Sequence, residues 1–152
     1  MARFLYNLVF TLAIPLILIR MWLRGGTNPG YRQRWAERFA LFKFSGKPQG
    51  ILVHSVSVGE TLAAEPLVRS LQAAHPNLTI TITTTTPTGS DQVKRLYAKD
   101  LVEGRIFHVY LPYDLPWLMS RFIKKIQPSI CLIMETELWP NIIRSCNKYK
   151  VS

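Results

Sequence analysis

The sequence predicts an α/β fold, with a parallel sheet and flanking helices, preceded by a separate apolar helix. Two observations predict it. From Gly50 onward, four short apolar runs each precede a segment with helical periodicity. Before them, residues 4–23 form an almost unbroken apolar stretch. Apolar strands that alternate with amphipathic helices are typical of a parallel sheet covered by helices on both faces.

The four predicted strand–helix pairs follow one another directly. The strands are Ile51–Val56, Leu78–Thr83, Arg105–Tyr110 and Ile130–Met134, and the helices are Thr61–Ala74, Pro87–Leu101, Leu115–Ile126 and Leu138–Lys148. Thr86 before Pro87 predicts a helix cap, and Asp114 predicts a cap for the helix that follows it. Val151 and Ser152 are expected to open a fifth strand, so we expect a truncated domain spanning residues 50–152.

The apolar composition of residues 1–24 predicts a membrane anchor. A helix needs about twenty apolar residues to span a bilayer, so this segment either spans the membrane or lies in its interface. Cations cluster after the segment and only Arg3 precedes it, so the positive-inside rule predicts that the rest of the chain is cytoplasmic. Arg24 follows the segment without a small-residue cleavage site, which predicts an uncleaved anchor. The alternative is a buried amphipathic helix.

The positive charge is concentrated near this anchor. Residues 1–50 hold eight basic side chains against one acid, and so carry +7 of the net charge of +10. This distribution predicts contact with an anionic membrane and argues against a nucleic-acid partner, since no aromatic and basic binding face is evident. Two isolated cysteines and three scattered histidines predict neither a disulfide nor a metal site.

The composition of residues 25–49 predicts a basic linker with a short amphipathic helix over Tyr31–Phe42. Aromatic side chains recur there at helical spacing, at Tyr31, Trp35, Phe39 and Phe42. We expect this stripe to pack on the domain rather than on lipid. Glu37 lies between Arg34 and Arg38, which predicts a structural ion pair rather than a general base.

Glu60 is the leading candidate for a catalytic group. It lies where the first strand meets its helix, and open parallel sheets bind ligands beyond the carboxyl ends of their strands. A carboxylate at that edge can act as a general base. Ser57 and Glu60 also match a capping box, in which both side chains satisfy free N–H groups at a helix start. The sequence leaves both roles open.

Two further clusters follow strands in the same way. Thr86 and Thr88 stand at a helix start where hydroxyl and N–H groups can bind phosphate or sugar hydroxyls, although a cap explains them equally well. Glu135 and Glu137 follow the fourth strand, where repulsion from Glu60 would make one carboxylate a better base. Alternatively, Glu137 caps the last helix and Glu135 pairs with a cation. The proline-rich turn of residues 110–116 needs only a structural role.

These clusters resemble those of a known family. The matching segments are His54–Ala64 with its Ser-Val-Gly-Glu sequence, the Thr-Pro-Thr-Gly of residues 86–89, Tyr110–Pro116 and Met134–Asn141. Together with the apolar helix and Tyr31–Phe39, they are similar to 3-deoxy-D-manno-octulosonic acid (Kdo) transferases. The resemblance covers essentially the whole chain.

The resemblance implies a specific fold and reaction. The fold is the Rossmann-like N-terminal half of a GT-B glycosyltransferase at the cytoplasmic face of the inner membrane. The reaction transfers Kdo from CMP-Kdo to the lipid A precursor, with inversion and without a cofactor or a metal in the chemical step. By resemblance, Glu60 is the general base and Glu135 supports the transition state. Ser57, Gly59, Thr86, Thr88 and Glu137 are the candidate substrate-binding residues.

Two departures from the family pattern stand beside this resemblance. Ala40 occupies a position where many relatives have glycine. The second domain, which supplies most of the nucleotide-sugar site, is expected to be absent, so this chain is expected to be the acceptor-side part and inactive alone. The rival hypothesis is a non-catalytic, membrane-anchored module that binds anionic lipid.

Overall fold

The sheet has four parallel strands. A computed structural model describes residues 1–135 and 139–152 of the chain, and its strand order is β3-β2-β1-β4. The strands are β1 (Ile51–His54), β2 (Ile80–Thr84), β3 (Ile106–Tyr110) and β4 (Ile130–Ile133). The helices are α1 (Ala2–Arg24), α2 (Val58–Ala74), α3 (Pro87–Leu96), α4 (Ala98–Val102), α5 (Pro116–Ile126) and α6 (Pro140–Lys148). The predicted α/β class is confirmed.

The central strand β1 divides the core into two layers. Leu52 contributes to the cluster that contains residues of α5 and α6. Ile51 and Val53 contribute to the other cluster, with residues of α2 and α3. Successive side chains of a strand point to opposite faces of the sheet, so a strand of four apolar or aromatic residues serves both layers at once. The two inner strands β1 and β2 are fully buried, whereas the edge strands β3 and β4 are partly exposed.

Helix α1 lies along the domain rather than apart from it. Phe10, Ile14, Ile17 and Leu18 pack against the α5–α6 side of the core, and Met21 is buried. The opposite side of the helix stays exposed and apolar. It carries Phe4, Leu5, Leu8, Val9, Leu12, Leu16, Ile19, Trp22 and Leu23. By length and composition, α1 is also the one candidate for a membrane-spanning helix among the described residues.

Residues 25–49 correct the sequence prediction. The expected single helix over Tyr31–Phe42 is instead two 3-10 helices, Pro29–Arg32 and Trp35–Phe39. The break falls at Arg34, whose φ of 55° is left-handed and cannot continue a right-handed helix. Phe39 and Phe42 nevertheless pack against the core, as the aromatic stripe predicted.

Ala40 ends the second 3-10 helix in a left-handed conformation. Its φ is 56° and its ψ is 29°, and it is completely buried. A residue with a Cβ pays about 1–2 kcal/mol for this conformation, whereas glycine does not. The turn therefore places the alanine methyl group in the core, in a conformation that favours glycine.

Several element boundaries also differ from the sequence prediction. The predicted helix Pro87–Leu101 is divided at Tyr97 into α3 and α4. The last helix begins at Pro140, and the predicted start at position 138 lies outside the described residues. Ser152 forms no assigned strand, although its backbone exchanges hydrogen bonds with Ser129 and Cys131 beside β4.

Asp114 caps a different helix from the one predicted. The N-cap of α5 is Leu115, which makes no side-chain cap. The Asp114 carboxylate instead accepts hydrogen bonds from the backbone N–H groups of Asn141 and Ile142 at the start of α6, each at 3.0 Å. It also accepts one from the Tyr6 hydroxyl at 3.0 Å. Burial raises the pKa of Asp114, and these hydrogen bonds oppose that shift.

We therefore expect Asp114→Ala to lower the free energy of unfolding by about 3 kcal/mol, because buried donors lose a charged acceptor. Urea denaturation in mild detergent measures the change. Asp91→Ala is the matched control: Asp91 is exposed and its pair with Lys94 lies on the surface, so a change within about 0.5 kcal/mol is expected. Equal stability of the two variants would contradict the structural role of Asp114.

Candidate functional site

The candidate site lies beyond the carboxyl ends of the four strands. Because the strands are parallel, the loops that follow them meet at one edge of the sheet. The Val56 carbonyl joins the first two loops, accepting hydrogen bonds from Thr85 N–H (3.4 Å) and from the Thr85 and Thr86 hydroxyls (3.3 and 3.4 Å). On the other side, Met134 N–H donates to His54 O at 2.9 Å.

Glu60 sits in the first turn of α2 and makes the contacts of a cap. Its carboxylate accepts hydrogen bonds from Val56 N–H at 2.7 Å and from the Ser57 hydroxyl at 2.8 Å. Ser57 is the N-cap of α2, and its Oγ accepts from Glu60 N–H at 3.4 Å. The capping alternative thus describes the observed contacts. It does not exclude a chemical role, since each carboxylate oxygen has two lone pairs.

Gly59 lies next to Glu60 with an open surface above it. A Cβ atom placed on Gly59 would meet only the Ser57 Oγ, at 3.9 Å. Internal packing and backbone φ therefore give no reason for glycine at this position. The remaining reason is unobstructed access to the N-terminus of α2 from outside.

The two candidate threonines have different surroundings. Thr86 caps α3, accepting a hydrogen bond from Gly89 N–H at 3.1 Å, as the sequence predicted. Thr88 is exposed in the first turn of α3, and its hydroxyl donates to Thr86 Oγ1 at 3.4 Å. Thr88 therefore presents a hydroxyl to the solvent at the site, whereas Thr86 serves the fold.

Glu135 follows β4 in a left-handed conformation, with φ 61°, and is exposed. Non-glycine residues in this region carry strain, which is common at functional sites. The strands β1 and β4 are neighbours, so the segments that carry Glu60 and Glu135 leave the sheet side by side. The predicted substrate-binding Glu137 lies outside the described residues.

A network of polar side chains lies next to this edge of the sheet. The sequence predicted only the ion pair of Glu37 within it. The Arg34 guanidinium binds both carboxylate oxygens of Glu37, at 2.7 and 2.9 Å, and also reaches Ser90 Oγ at 2.7 Å. Glu37 accepts a further hydrogen bond from Tyr110 N–H. The predicted ion pair of Glu37 is confirmed, with Arg34 as its partner.

His108 completes the network. Its Nδ1 lies 3.0 Å from Ile82 O, which can only accept, so Nδ1 carries the proton. Its Nε2 then accepts from the Ser90 hydroxyl at 2.9 Å, while Ser90 accepts from Arg34. Burial lowers the pKa of His108 to about 4, and the neighbouring Arg34 charge acts in the same direction.

Arg38 is the site residue that sequence reasoning missed. Its side chain is almost completely buried at the ligand edge, and its Nη2 donates to Thr85 O at 2.8 Å. Along the sequence Glu37 is three residues from Arg34 and one residue from Arg38, and in the structure it pairs with Arg34. The burial of Arg38 depends on residues distant along the chain, such as Thr85, which residue spacing does not reveal.

Comparison with known proteins agrees with this architecture. Residues 33–152 match the family model described as 3-deoxy-D-manno-octulosonic-acid transferase (kdotransferase). The chain belongs to the Kdo transferase family. The matched region contains all four strands and every candidate site residue, so the sheet is the N-terminal domain of this GT-B family.

Individual Kdo transferases are similar over most of the chain. The 3-deoxy-D-manno-octulosonic acid transferase of Haemophilus influenzae is 48% identical over 145 residues, which cover 94% of this chain and 33% of that protein. The Bordetella pertussis transferase is 35% identical, covering 94% of this chain and 34% of its own length. A probable mitochondrial transferase of Arabidopsis thaliana is also 35% identical, over 88% of this chain. The chain thus spans about a third of the length of these Kdo transferases.

The distribution of possible metal ligands is a further feature of the residues that the structure describes. Residues 1–135 and 139–152 contain no group of three or more histidine, cysteine, aspartate or glutamate side chains placed to hold a metal ion. Cys131 and Cys146 are free cysteines. The described side chains at this edge include the carboxylates of Glu60 and Glu135, the hydroxyls of Ser57, Thr86 and Thr88, and the Arg38 guanidinium.

The neutral state of His108 predicts a pH dependence of stability. The pKa of His108 in the folded protein, about 4, lies below the usual value of 6.5. Between pH 4 and pH 6.5 the unfolded chain therefore binds more protons than the folded chain. Stability should fall as the pH drops from 6.5 to 4, by at most about 1.4 kcal/mol per pH unit. His108→Gln should remove this contribution from denaturation midpoints measured across the range. The control is His75→Gln, since His75 is exposed; identical profiles for both variants would contradict the prediction.

Proposed function

We propose that this chain is the acceptor-side domain of a glycosyltransferase that transfers Kdo from CMP-Kdo to a lipid A precursor, lipid IVA. The observation that carries the proposal is Glu60, a half-buried carboxylate at the ligand edge of a sheet that belongs to the Kdo transferase family. The transfer inverts the anomeric configuration and needs no metal in the chemical step. We propose that this span of the enzyme is inactive by itself, since it covers about a third of the length of the Kdo transferases that it matches.

In this proposal Glu60 is the general base. The acceptor hydroxyl gives its proton to a free lone pair of the Glu60 carboxylate as its oxygen attacks the anomeric carbon of Kdo. The bond from that carbon to the CMP phosphate breaks, and CMP leaves with the bonding electrons. The hydrogen bonds from Val56 N–H and the Ser57 hydroxyl support this role by fixing the orientation of the carboxylate. A positioned base contributes about 10²–10⁴ in rate.

Neighbouring groups bind and stabilise the reactants. The open surface over Gly59 supports close approach of the acceptor to the N-terminus of α2, where N–H groups favour anions. Ser57 and Thr86 position this surface, and the exposed Thr88 hydroxyl binds a sugar hydroxyl. Glu135 faces the positive charge that develops on the sugar ring. Glu137 binds substrate in the same loop.

The contacts that α1 makes with the rest of the chain support a particular orientation at the membrane. Its residues contact the domain near both ends: the Asn141 side chain donates to Asn7 Oδ1 at 2.8 Å, and Arg32 donates to Trp22 O at 3.0 Å. A helix of 23 residues extends about 35 Å, so a spanning helix would carry Asn7 across the bilayer and away from Asn141. We therefore propose that α1 lies in the interface at the cytoplasmic face of the inner membrane.

The basic side chains fit this orientation. Arg3, Arg20 and Arg24 are exposed on α1, whose outward face is apolar. An apolar face with basic residues at its borders is typical of helices that bind anionic membrane surfaces. The acceptor lipid would then reach the carboxyl edge of the sheet from the membrane plane.

The role of Glu60 can be tested in the full-length protein of the same reading frame. Glu60→Gln is expected to lower the turnover of labelled Kdo transfer from CMP-Kdo to lipid IVA about 10²–10⁴-fold. Glu65→Gln is the matched control, because it makes the same change on α2 at a carboxylate that pairs with Arg69, and near-parent turnover is expected. Glu135→Gln should give an intermediate loss.

Three outcomes would contradict this assignment. Near-normal turnover of Glu60→Gln, or an equal loss in Glu65→Gln, would remove Glu60 from the role of base. If the full-length parent itself transferred no Kdo, the reaction would be refuted, and a non-catalytic module that binds anionic lipid would be the better account.

The interfacial placement of α1 predicts its own result. Replacing Leu12 and Leu16 together with glutamate should weaken flotation with phosphatidylethanolamine–phosphatidylglycerol vesicles at least about tenfold, since two exposed apolar contacts become charges. Val102→Glu is the control, because Val102 is equally exposed but lies on α4.

A labelling experiment distinguishes an interfacial helix from a spanning one. Ala2→Cys in the chain bound to the outside of sealed vesicles should react with an impermeant maleimide, above the background of Cys131 and Cys146. Protection of that cysteine until detergent is added would contradict the interfacial placement.

A further inference from the structure

A cavity of about 280 Å³ lies between α1 and the ligand edge of the sheet. Phe10, Ile17 and Met21 line it from α1, and Leu111 and Trp139 line it from the loops after β3 and β4. These side chains are apolar or aromatic. One fully charged group, the Arg38 guanidinium, also lines this cavity.

Arg38 is deeply buried for a charged residue. Its exposed fraction is 6%, and arginine is almost never so buried unless it is paired. Nη2 donates to Thr85 O, and the guanidinium stacks on the Tyr110 ring with 4.3 Å between Cζ and the ring centroid. The buried Nε has no hydrogen-bond partner among the described residues.

The nearest carboxylate does not balance this charge. Glu37 is held by two hydrogen bonds from Arg34 and one from Tyr110 N–H. Arg34 also lies against the Tyr110 ring, with 4.5 Å between Cζ and the ring centroid, so two guanidinium groups share one acid and one aromatic ring. The cluster of Arg34, Glu37 and Arg38 therefore carries one unbalanced positive charge beside the cavity.

A purely structural role accounts poorly for this arrangement. Arginine has five N–H donors, and a single carbonyl contact leaves most of them unused. Burying a charge without a pairing acid is unfavourable, and an apolar side chain of similar volume avoids that desolvation penalty. The burial becomes favourable if an anion enters the cavity, because guanidinium groups bind oxyanions through paired, charge-assisted hydrogen bonds.

We propose that the cavity binds an oxyanion carried by an apolar chain, the chemistry of an acidic lipid, with Arg38 as the anion-binding residue. The volume is close to the lower end of the range for ligand pockets, about 300–1,000 Å³. It accommodates one phosphate or carboxylate group and a few methylene groups. The position beneath α1, whose other face is exposed and apolar, gives a lipid direct access. The inference does not depend on Kdo transfer.

The test observes Arg38 itself. The full chain, labelled with ¹⁵N-arginine in dodecyl maltoside, is titrated with dihexanoyl phosphatidic acid while the Arg38 Nε–H resonance is followed. The resonance is assigned by its loss in Arg38→Lys. We expect a saturable shift with phosphatidic acid and none with dihexanoylglycerol, which lacks the anion. Inorganic phosphate, which lacks the apolar chain, should bind at least about tenfold more weakly.

Two variants separate specific binding from general charge attraction. Arg38→Met keeps the apolar stem and should weaken phosphatidic acid binding about tenfold to a hundredfold, the value of one or two charge-assisted hydrogen bonds. Lys43→Met removes one charge from an exposed position in the same segment and should change the affinity less than about twofold. Arg38→Lys should bind more tightly than Arg38→Met.

Each of the following results would overturn the site or one half of the proposal. An unshifted Arg38 resonance, or equal affinities of Arg38→Met and the parent chain, would overturn the site. Equal affinities for inorganic phosphate and phosphatidic acid would overturn the apolar half of the proposal. Should Arg38→Met fail to fold, the titration of the parent chain and Arg38→Lys still decide the question.

Discussion

Parallel pairing of the four strands is the constraint on which the rest of the structure depends. Because β1 pairs with β2 on one side and with β4 on the other, the loops that carry Glu60, Thr86 and Glu135 all leave the sheet at one edge. Parallel strands also require crossover helices, which here bury β1 and β2 completely and leave the edge strand β4 half-buried. The site is therefore a consequence of the topology, and the side chains there did not need to be close in sequence.

At this edge the stabilising and the chemical roles of a residue are combined. The hydrogen bonds that make Glu60 a cap for α2 also hold its carboxylate in one orientation at the open surface over Gly59. Preorganised groups lose less entropy during a reaction than mobile ones. In the proposed role of Glu60 as general base, the capping box of α2 therefore also supplies the orientation of the carboxylate.

Arg34 and Arg38 differ in how their charges are balanced. Arg34 is neutralised by Glu37 and supports the loop through Ser90 and His108. Arg38, four residues later, faces an apolar cavity beneath α1 instead. Asp114 ties α1 to α6 through Tyr6 and Asn141, so α1, the cavity and the ligand edge of the sheet form one connected unit.

The sequence alone determined the fold class and most of the candidate site. Four apolar strands with alternating helices, the Ser57–Glu60 box and the Thr86 cap are local patterns, and local patterns are readable because backbone geometry repeats over a few residues. It also predicted that Phe39 and Phe42 pack on the domain. It predicted a single helix at residues 31–42 and a cap by Asp114 on its own helix, and both predictions were wrong.

Only the tertiary structure decided which groups are partners. The left-handed turn at Arg34 directs Glu37 to that arginine and leaves Arg38 without an acid. Asp114 finds the start of α6 rather than α5, because the N–H groups of Asn141 and Ile142 lie beside it across the sheet edge. Contacts at α1 show likewise that the apolar helix lies along the domain. Partners distant along the chain are set by packing in three dimensions, and the residue spacing of one sequence contains no record of that packing.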